Sequence, residues 1–124
     1  MNLIVESAPS GGTLNAAIGN YYVFTTDVTS LEVTLPAAPS YSKVKGCVFF
    51  FKTGTLSEGS GVSFTSTDNQ PIVFYDGYSA EDNTVYEINA VWNGWAWILA
   101  YGIVTGLPAY PTAEDESESE SETE

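Results

Sequence analysis

The stretch that decides the fold is Thr84-Val85-Tyr86-Glu87-Ile88-Asn89-Ala90-Val91-Trp92, then Asn93-Gly94, then Trp95-Ala96-Trp97-Ile98-Leu99-Ala100-Tyr101-Gly102-Ile103-Val104. On both sides of Asn93-Gly94, bulky apolar residues recur at every second position, the period of a β-strand. Asn-Gly is the favoured centre of a two-residue type I′ turn, because both central residues need positive φ. The expected register sets Trp92 opposite Trp95, Ala90 opposite Trp97, Ile88 opposite Leu99 and Tyr86 opposite Tyr101. These residues share one face, a wall of aromatic and aliphatic side chains. Val85, Glu87, Asn89 and Val91 share the other with Ala96, Ile98, Ala100 and Gly102. A slip of one residue would carry Glu87 and Asn89 into the wall, so the choice of faces is firm.

Working outward, the same signals recur. Leu31-Glu32-Val33-Thr34-Leu35 alternates cleanly and Pro36 stops it. Tyr21 to Thr25 is aromatic and β-branched, and Thr26 to Ser30 reads as a turn that brings it back onto Leu31–Leu35. Gly46 to Gly54 is apolar at consecutive positions until Lys52, which predicts a central strand covered on both faces. Val62–Thr65 and Ile72–Tyr75 are shorter runs bounded by Gly, Asn, Asp or Pro. No helix longer than a turn is expected, and no repeat of solenoid period is visible.

The expected architecture is therefore all-β: an antiparallel β-sandwich or small jelly roll of about seven strands, with a disordered acidic C-terminal tail. Residues 1–20 read as an N-terminal attachment segment and linker, with turn signals at Pro9-Ser10-Gly11-Gly12 and Gly19-Asn20. Residues 21–106 form the sandwich, and 107–124 a Pro-containing linker and acidic low-complexity tail.

What the composition lacks excludes more than its contents suggest. The 124 residues hold 16 acids and 3 basic residues, all lysines, with no histidine, for a formal net charge of -13. Without histidine there is no imidazole base, Ser-His or Cys-His pair, or imidazole metal ligand. Without arginine there is no bidentate clamp for carboxylate or phosphate. The charge repels polyanions, so no nucleic acid is expected as a partner. Seven of the 16 acids fall in Glu114 to Glu124, which leaves the remainder of the chain with an ordinary surface charge. One cysteine, Cys47, allows no internal disulfide, and its neighbours Val48-Phe49-Phe50-Phe51 mark it as a small buried hydrophobe. Neither a signal-peptide pattern nor a spanning apolar stretch is present, so no membrane insertion is expected.

Candidate functional residues are few. Trp92 and Trp95 flank the Asn-Gly turn, where interface, sugar stacking and plain packing are all open, while Trp97 reads as core. Tyr78 and Tyr110 are further interface or glycan candidates. Leu3, Ile4 and Val5 are candidates for attachment. The acid-rich loop Asp76 to Asn83 matches no calcium motif and reads as a solvated turn. Lys43, Lys45 and Lys52 read as edge-strand lysines that discourage aggregation. No catalytic residue, cofactor or metal is expected.

Several segments carry a resemblance: Tyr22-Val-Phe-Thr, Leu31-x-Val-x-Leu-Pro, Val48-x-Phe-x-Lys-Thr-Gly, Val62-x-Phe, Asn83-Thr-Val-Tyr-Glu-Ile-Asn and Trp97-Ile-Leu-Ala. Over about residues 20–104 the chain resembles small β-sandwich domains of bacteriophage virion proteins, of the head-decoration, head-fibre or tail-fibre type. The resemblance rests on strand patterns and transfers no binding residue. It implies a non-enzymatic virion-surface module that contacts other capsid or tail proteins, is a homo-oligomer with a trimer favoured, and is assembled in the host bacterial cytoplasm. The start methionine favours a capsid-decoration or auxiliary protein over a fibre tip. The alternative is a module that recognises bacterial-surface carbohydrate through exposed aromatic residues.

Overall fold

A computed structural model describes residues 1–37, 45–56, 61–75 and 78–108. Among them lie β1 (Asn2–Glu6), β2 (Thr13–Asn15), β3 (Asn20–Phe24), β4 (Leu31–Leu35), β5 (Lys45–Lys52), β6 (Val62–Ser66), β7 (Ile72–Phe74), β8 (Val85–Trp92) and β9 (Trp97–Val104). The only helical element described is a 3-10 turn at Thr67–Asn69, where Asp68 and Asn69 take positive φ. The all-β expectation holds. The acidic tail, Tyr110, Lys43 and Asp76 lie outside the described residues.

The strands form a six-stranded sheet, ordered β1-β3-β5-β8-β9-β7, and a three-stranded sheet, ordered β2-β4-β6. The chain alternates between the two sheets from β1 to β7 and stays in the larger one for β8 and β9. From β1 to β6, neighbouring strands of one sheet are thus joined through a strand of the other, which makes them parallel. Among the described residues, five of the seven strand pairings are parallel, and only β5–β8 and β8–β9 are antiparallel. This corrects the antiparallel expectation. Parallel neighbours need a crossover connection, and here a strand serves where a helix usually does.

The crossing after β3 shows why a hairpin does not form there. Val28, in the expected turn, is buried. Its N–H donates to Lys52 O at 2.8 Å and its carbonyl accepts from Gly54 N at 2.9 Å. The segment is thereby fastened to the end of β5 and leads away from β3, so β4 falls in the opposite sheet. Residues 1–20, expected as attachment segment and linker, instead supply an edge strand to each sheet: β1 lies beside β3 and β2 beside β4.

One apolar cluster draws on both sheets. It joins Tyr22 and Phe24 of β3, Leu31, Val33 and Leu35 of β4, Cys47, Phe49 and Phe51 of β5, and Tyr86, Ile88 and Ala90 of β8. Phe64 of β6 meets Phe49 and Phe74 edge-on, each with ring centroids 5.5 Å apart. Thr53 is the one buried polar residue described, and its hydroxyl donates to Glu81 O at 2.6 Å while accepting from Thr84 N at 2.9 Å. These bonds seat the loop that leads into β8.

The β8–β9 hairpin keeps its faces but not its register. Trp92 pairs with Trp97, Ala90 with Leu99, Ile88 with Tyr101 and Tyr86 with Ile103. The connection is longer than two residues, because the Asn93 side chain builds it. Asn93 Oδ1 accepts from the N–H groups of Trp95 and Ala96, both at 2.9 Å, while Gly94 alone takes positive φ, at 94°. A shift of two positions preserves strand parity, which is why the wall survives the correction.

Candidate functional site

All of the inner wall except Trp95 packs in or against the core. Trp97 is buried and Trp92 nearly so, their ring centroids 5.9 Å apart. Tyr78 stacks on Phe74 at 4.7 Å and meets Tyr86 and Tyr101 edge-on. Its hydroxyl is buried without a hydrogen-bond partner among the described residues, and burial pushes its pKa up. Trp92 and Tyr78 therefore pack inside rather than offer a ring to a sugar. Trp95 alone of the described aromatic candidates stands clear, 82% exposed at the tip of the loop. The three residues do not converge on one site.

The outer face of the six-stranded sheet is different. Strand parity and the pairings place its side chains in rows. One row runs Leu3, Tyr21, Val48, Asn89, Ala100, and the next Val5, Val23, Phe50, Glu87, Gly102. A third runs Gly46, Val91, Ile98, Val73, and a fourth Lys52, Val85, Val104. Leu3 is 65% exposed, Val5 43%, Val73 46% and Val91 37%. Tyr21, Val23, Val48, Phe50, Ile98 and Ala100 are half-buried, and none of them belongs to the core cluster. The face is thus apolar over neighbouring strands and open to solvent along β1 and β7.

Charge on this face is sparse and internally partnered. The Tyr21 hydroxyl reaches across β5 and donates to Glu87 Oε2. Burial, then that bond and the Glu87 charge, push the Tyr21 pKa up to about 12. Lys52 Nζ lies 3.3 Å from Asp27 Oδ2, both side chains half-exposed, so this ion pair adds about 1 kcal/mol at most. Lys45 and Lys52 end a central strand rather than an edge strand, which corrects the edge-protection reading. The three attachment candidates split: Leu3 and Val5 point outward onto this face, while Ile4 packs against the core.

The sequence carries the signal for this face. β5 is apolar at consecutive positions from Cys47 to Phe51, and β8 and β9 place Val85, Val91, Ile98 and Ala100 on the side away from the wall. β5 is central, as expected, but only Cys47, Phe49 and Phe51 are covered; Val48 and Phe50 look outward. Among the described residues no group of three or more His, Cys, Asp or Glu side chains gathers. Asp82 instead caps a loop, its Oδ1 accepting from Leu56 N at 3.0 Å. A polar cleft of about 480 Å³ lies beside Gly12, Glu32, Gly61, Ser63 and Ser79.

Burial also pushes the Cys47 thiol from its ordinary 9.0 up to about 12. The folded state then keeps a proton that the unfolded chain releases, so stability is whole below pH 9 and declines as pH rises towards 12. At pH 10 the expected loss is about 1.4 kcal/mol, which urea titrations at pH 8 and pH 10 will read. Tyr21 and Tyr78, whose pKa values are also pushed up, add a smaller loss, so a Cys47→Ala variant should keep part of the slope and lose the larger share; an equal slope in both proteins would assign it elsewhere.

No protein-family model matches the chain, and no curated protein or solved structure matches it significantly.

Proposed function

We propose that the chain is a non-enzymatic structural protein of a bacteriophage virion surface, of the capsid-decoration, head-fibre or tail-fibre kind. It acts through protein–protein contacts with capsid or tail proteins and with its own copies. The observation that carries this reading is the open apolar face of the six-stranded sheet, with Leu3 and Val5 on its first strand and Val73 on its last. A domain without histidine or arginine, and with its aromatic wall spent on the core, has contact area to offer rather than chemistry. We read the two sheets as layers of a β-sandwich, on the Phe49–Phe64 contact between β5 and β6. The resemblance to virion β-sandwich domains supports the virion location.

An antibody raised against the full-length chain tests this. On particles banded from a lysate containing the chain, gold-labelled antibody should decorate heads or tails. Bare particles, with the chain confined to the soluble fraction, would contradict the reading.

A second reading, recognition of bacterial-surface carbohydrate, is favoured by one observation, the exposed indole of Trp95. It expects cell-wall polysaccharide to change tryptophan emission, and expects Trp95→Ala to abolish that change.

A further inference from the structure

We infer that the open face of the six-stranded sheet is covered by the same face of a second copy of this chain, in a two-fold, sheet-on-sheet pair. This rests on the reading of the chain as an interaction module and names the partner that its main surface takes.

Three observations select that occupant. The first is strand direction. β1, β3 and β5 run parallel, and the crossovers between them pass through β2 and β4 of the other sheet, so they cover the inner side only. The Cys47–Phe51 run has the composition of a doubly covered strand, yet within one chain Val48 and Phe50 have no layer above them among the described residues. The described residues supply no such layer, and we assign the cover to another chain.

The second is area. The six strands have five, five, eight, eight, eight and three residues. At a rise of ~3.3 Å and a spacing of ~4.8 Å they span roughly 600 Å² of sheet plane. Two copies face to face then bury roughly 1,200 Å² in total, the lower bound for a stable specific interface. The whole face is needed, which requires a partner as flat and as broad as this sheet. A second copy has that shape by construction.

The third is charge. The chain carries -13 overall, but among the described residues the strands of this face present one ammonium, Lys52, and one carboxylate, Glu87. Both are engaged within the chain, with Asp27 and Tyr21. A partner chosen by charge gains no grip here, and a mostly apolar plane offers a sugar few hydrogen-bond groups. The same apolar face of a second copy meets no such mismatch. One continuous face also makes a closed, isologous pair, whereas a three-fold ring needs two different patches. The inference therefore replaces the expected trimer with a dimer.

The test is the solution mass of the full-length chain by light scattering, for the wild type and for Val48→Lys, Leu3→Asp and Ser63→Lys. Val48 sits mid-face, Leu3 at the rim and exposed, and Ser63 on the smaller sheet. The wild type should have twice the 13.3 kDa chain mass. Val48→Lys should be a monomer with an unchanged far-ultraviolet spectrum, Leu3→Asp should dissociate at least tenfold more readily, and Ser63→Lys should match the wild type. Raising NaCl from about 0.05 to about 0.5 M should tighten the pair, because repulsion between two acidic chains is screened. A wild-type monomer at every concentration, a trimer, or a dimer untouched by both face variants would overturn the inference. A dimer absent from particles would leave the inference standing and defeat the virion reading; a monomer found on particles would do the reverse.

Discussion

Trp97→Ala is expected to lower the unfolding free energy by about 4 kcal/mol, the cost of emptying a fully buried indole site. Trp97 is 0% exposed and sits where three strands meet. It opens β9, pairs with Trp92 of β8 on one side and with Ile72 of β7 on the other. Its N–H donates to Pro71 O at 2.8 Å, and its indole Nε1 lies 3.4 Å from Gln70 Oε1. The cavity would loosen the hairpin and the β7 edge together. Domains of this size have roughly 5–15 kcal/mol in total, so the urea midpoint should fall by about 2 M. Trp95→Ala, at the loop tip, should stay within about 0.5 kcal/mol of the wild type. Equal losses from the two would mean that the assignment of inner and outer tryptophans is wrong.

Gly46→Ala is expected to cost about 3 kcal/mol, at the upper end for overpacking. A Cβ at Gly46 would stand 2.4 Å from the carbonyl oxygen of Ala90. That atom is backbone in β8 and can retreat only if the β5–β8 ladder opens. Gly102, on the same outer face two strands further on, has nothing within 4 Å of such a Cβ. Gly102→Ala should therefore be neutral or slightly stabilising, since alanine loses less backbone entropy on folding than glycine. Parallel thermal melts of the two variants check this. A Gly46→Ala protein that melts with the wild type would show that β5 does not approach β8 this closely.

Local pattern makes the strands legible and leaves their partners hidden. Leu31, Val33 and Leu35 announce β4 and its buried face by alternation alone, and Tyr86, Ile88 and Ala90 do the same for β8. Period-2 patterning says which side of a strand is apolar but not which strand lies beside it. Pairing here is set by crossings such as the one anchored by Val28, whose burial depends on contacts distant in sequence. The winding also lacks a fixed period. Asn2 lies beside Asn20, 18 positions on, while Thr34 lies beside Thr65, 31 positions on, so no repeat can be seen. The hairpin register departs from the Asn-Gly expectation because Asn93 uses its side chain, not a positive φ, to build the turn.

The candidate site is legible in one respect. Apolar residues on both sides of β5 predict two covered faces, and the structure covers one. Of the aromatic candidates, Trp92 and Tyr78 lie near turns in sequence yet pack inward in space, and sequence alone leaves that choice open. Leu3 and Val5 stand out by their apolar character, although they belong to a paired strand of the sheet rather than to a free segment.

The central claim is that the outer face of the six-stranded sheet is a covered interface in the working protein. Thiol labelling of an Ala100→Cys variant by a soluble aromatic disulfide tests it most directly. Ala100 lies on that face, Ser63→Cys on the smaller sheet serves as the exposed control, and Cys47 stays silent because it is buried. The account predicts slow labelling at position 100 in concentrated protein, faster labelling on dilution, and a constant rate at position 63. Labelling at position 100 that is as fast as at 63 and indifferent to concentration would contradict it.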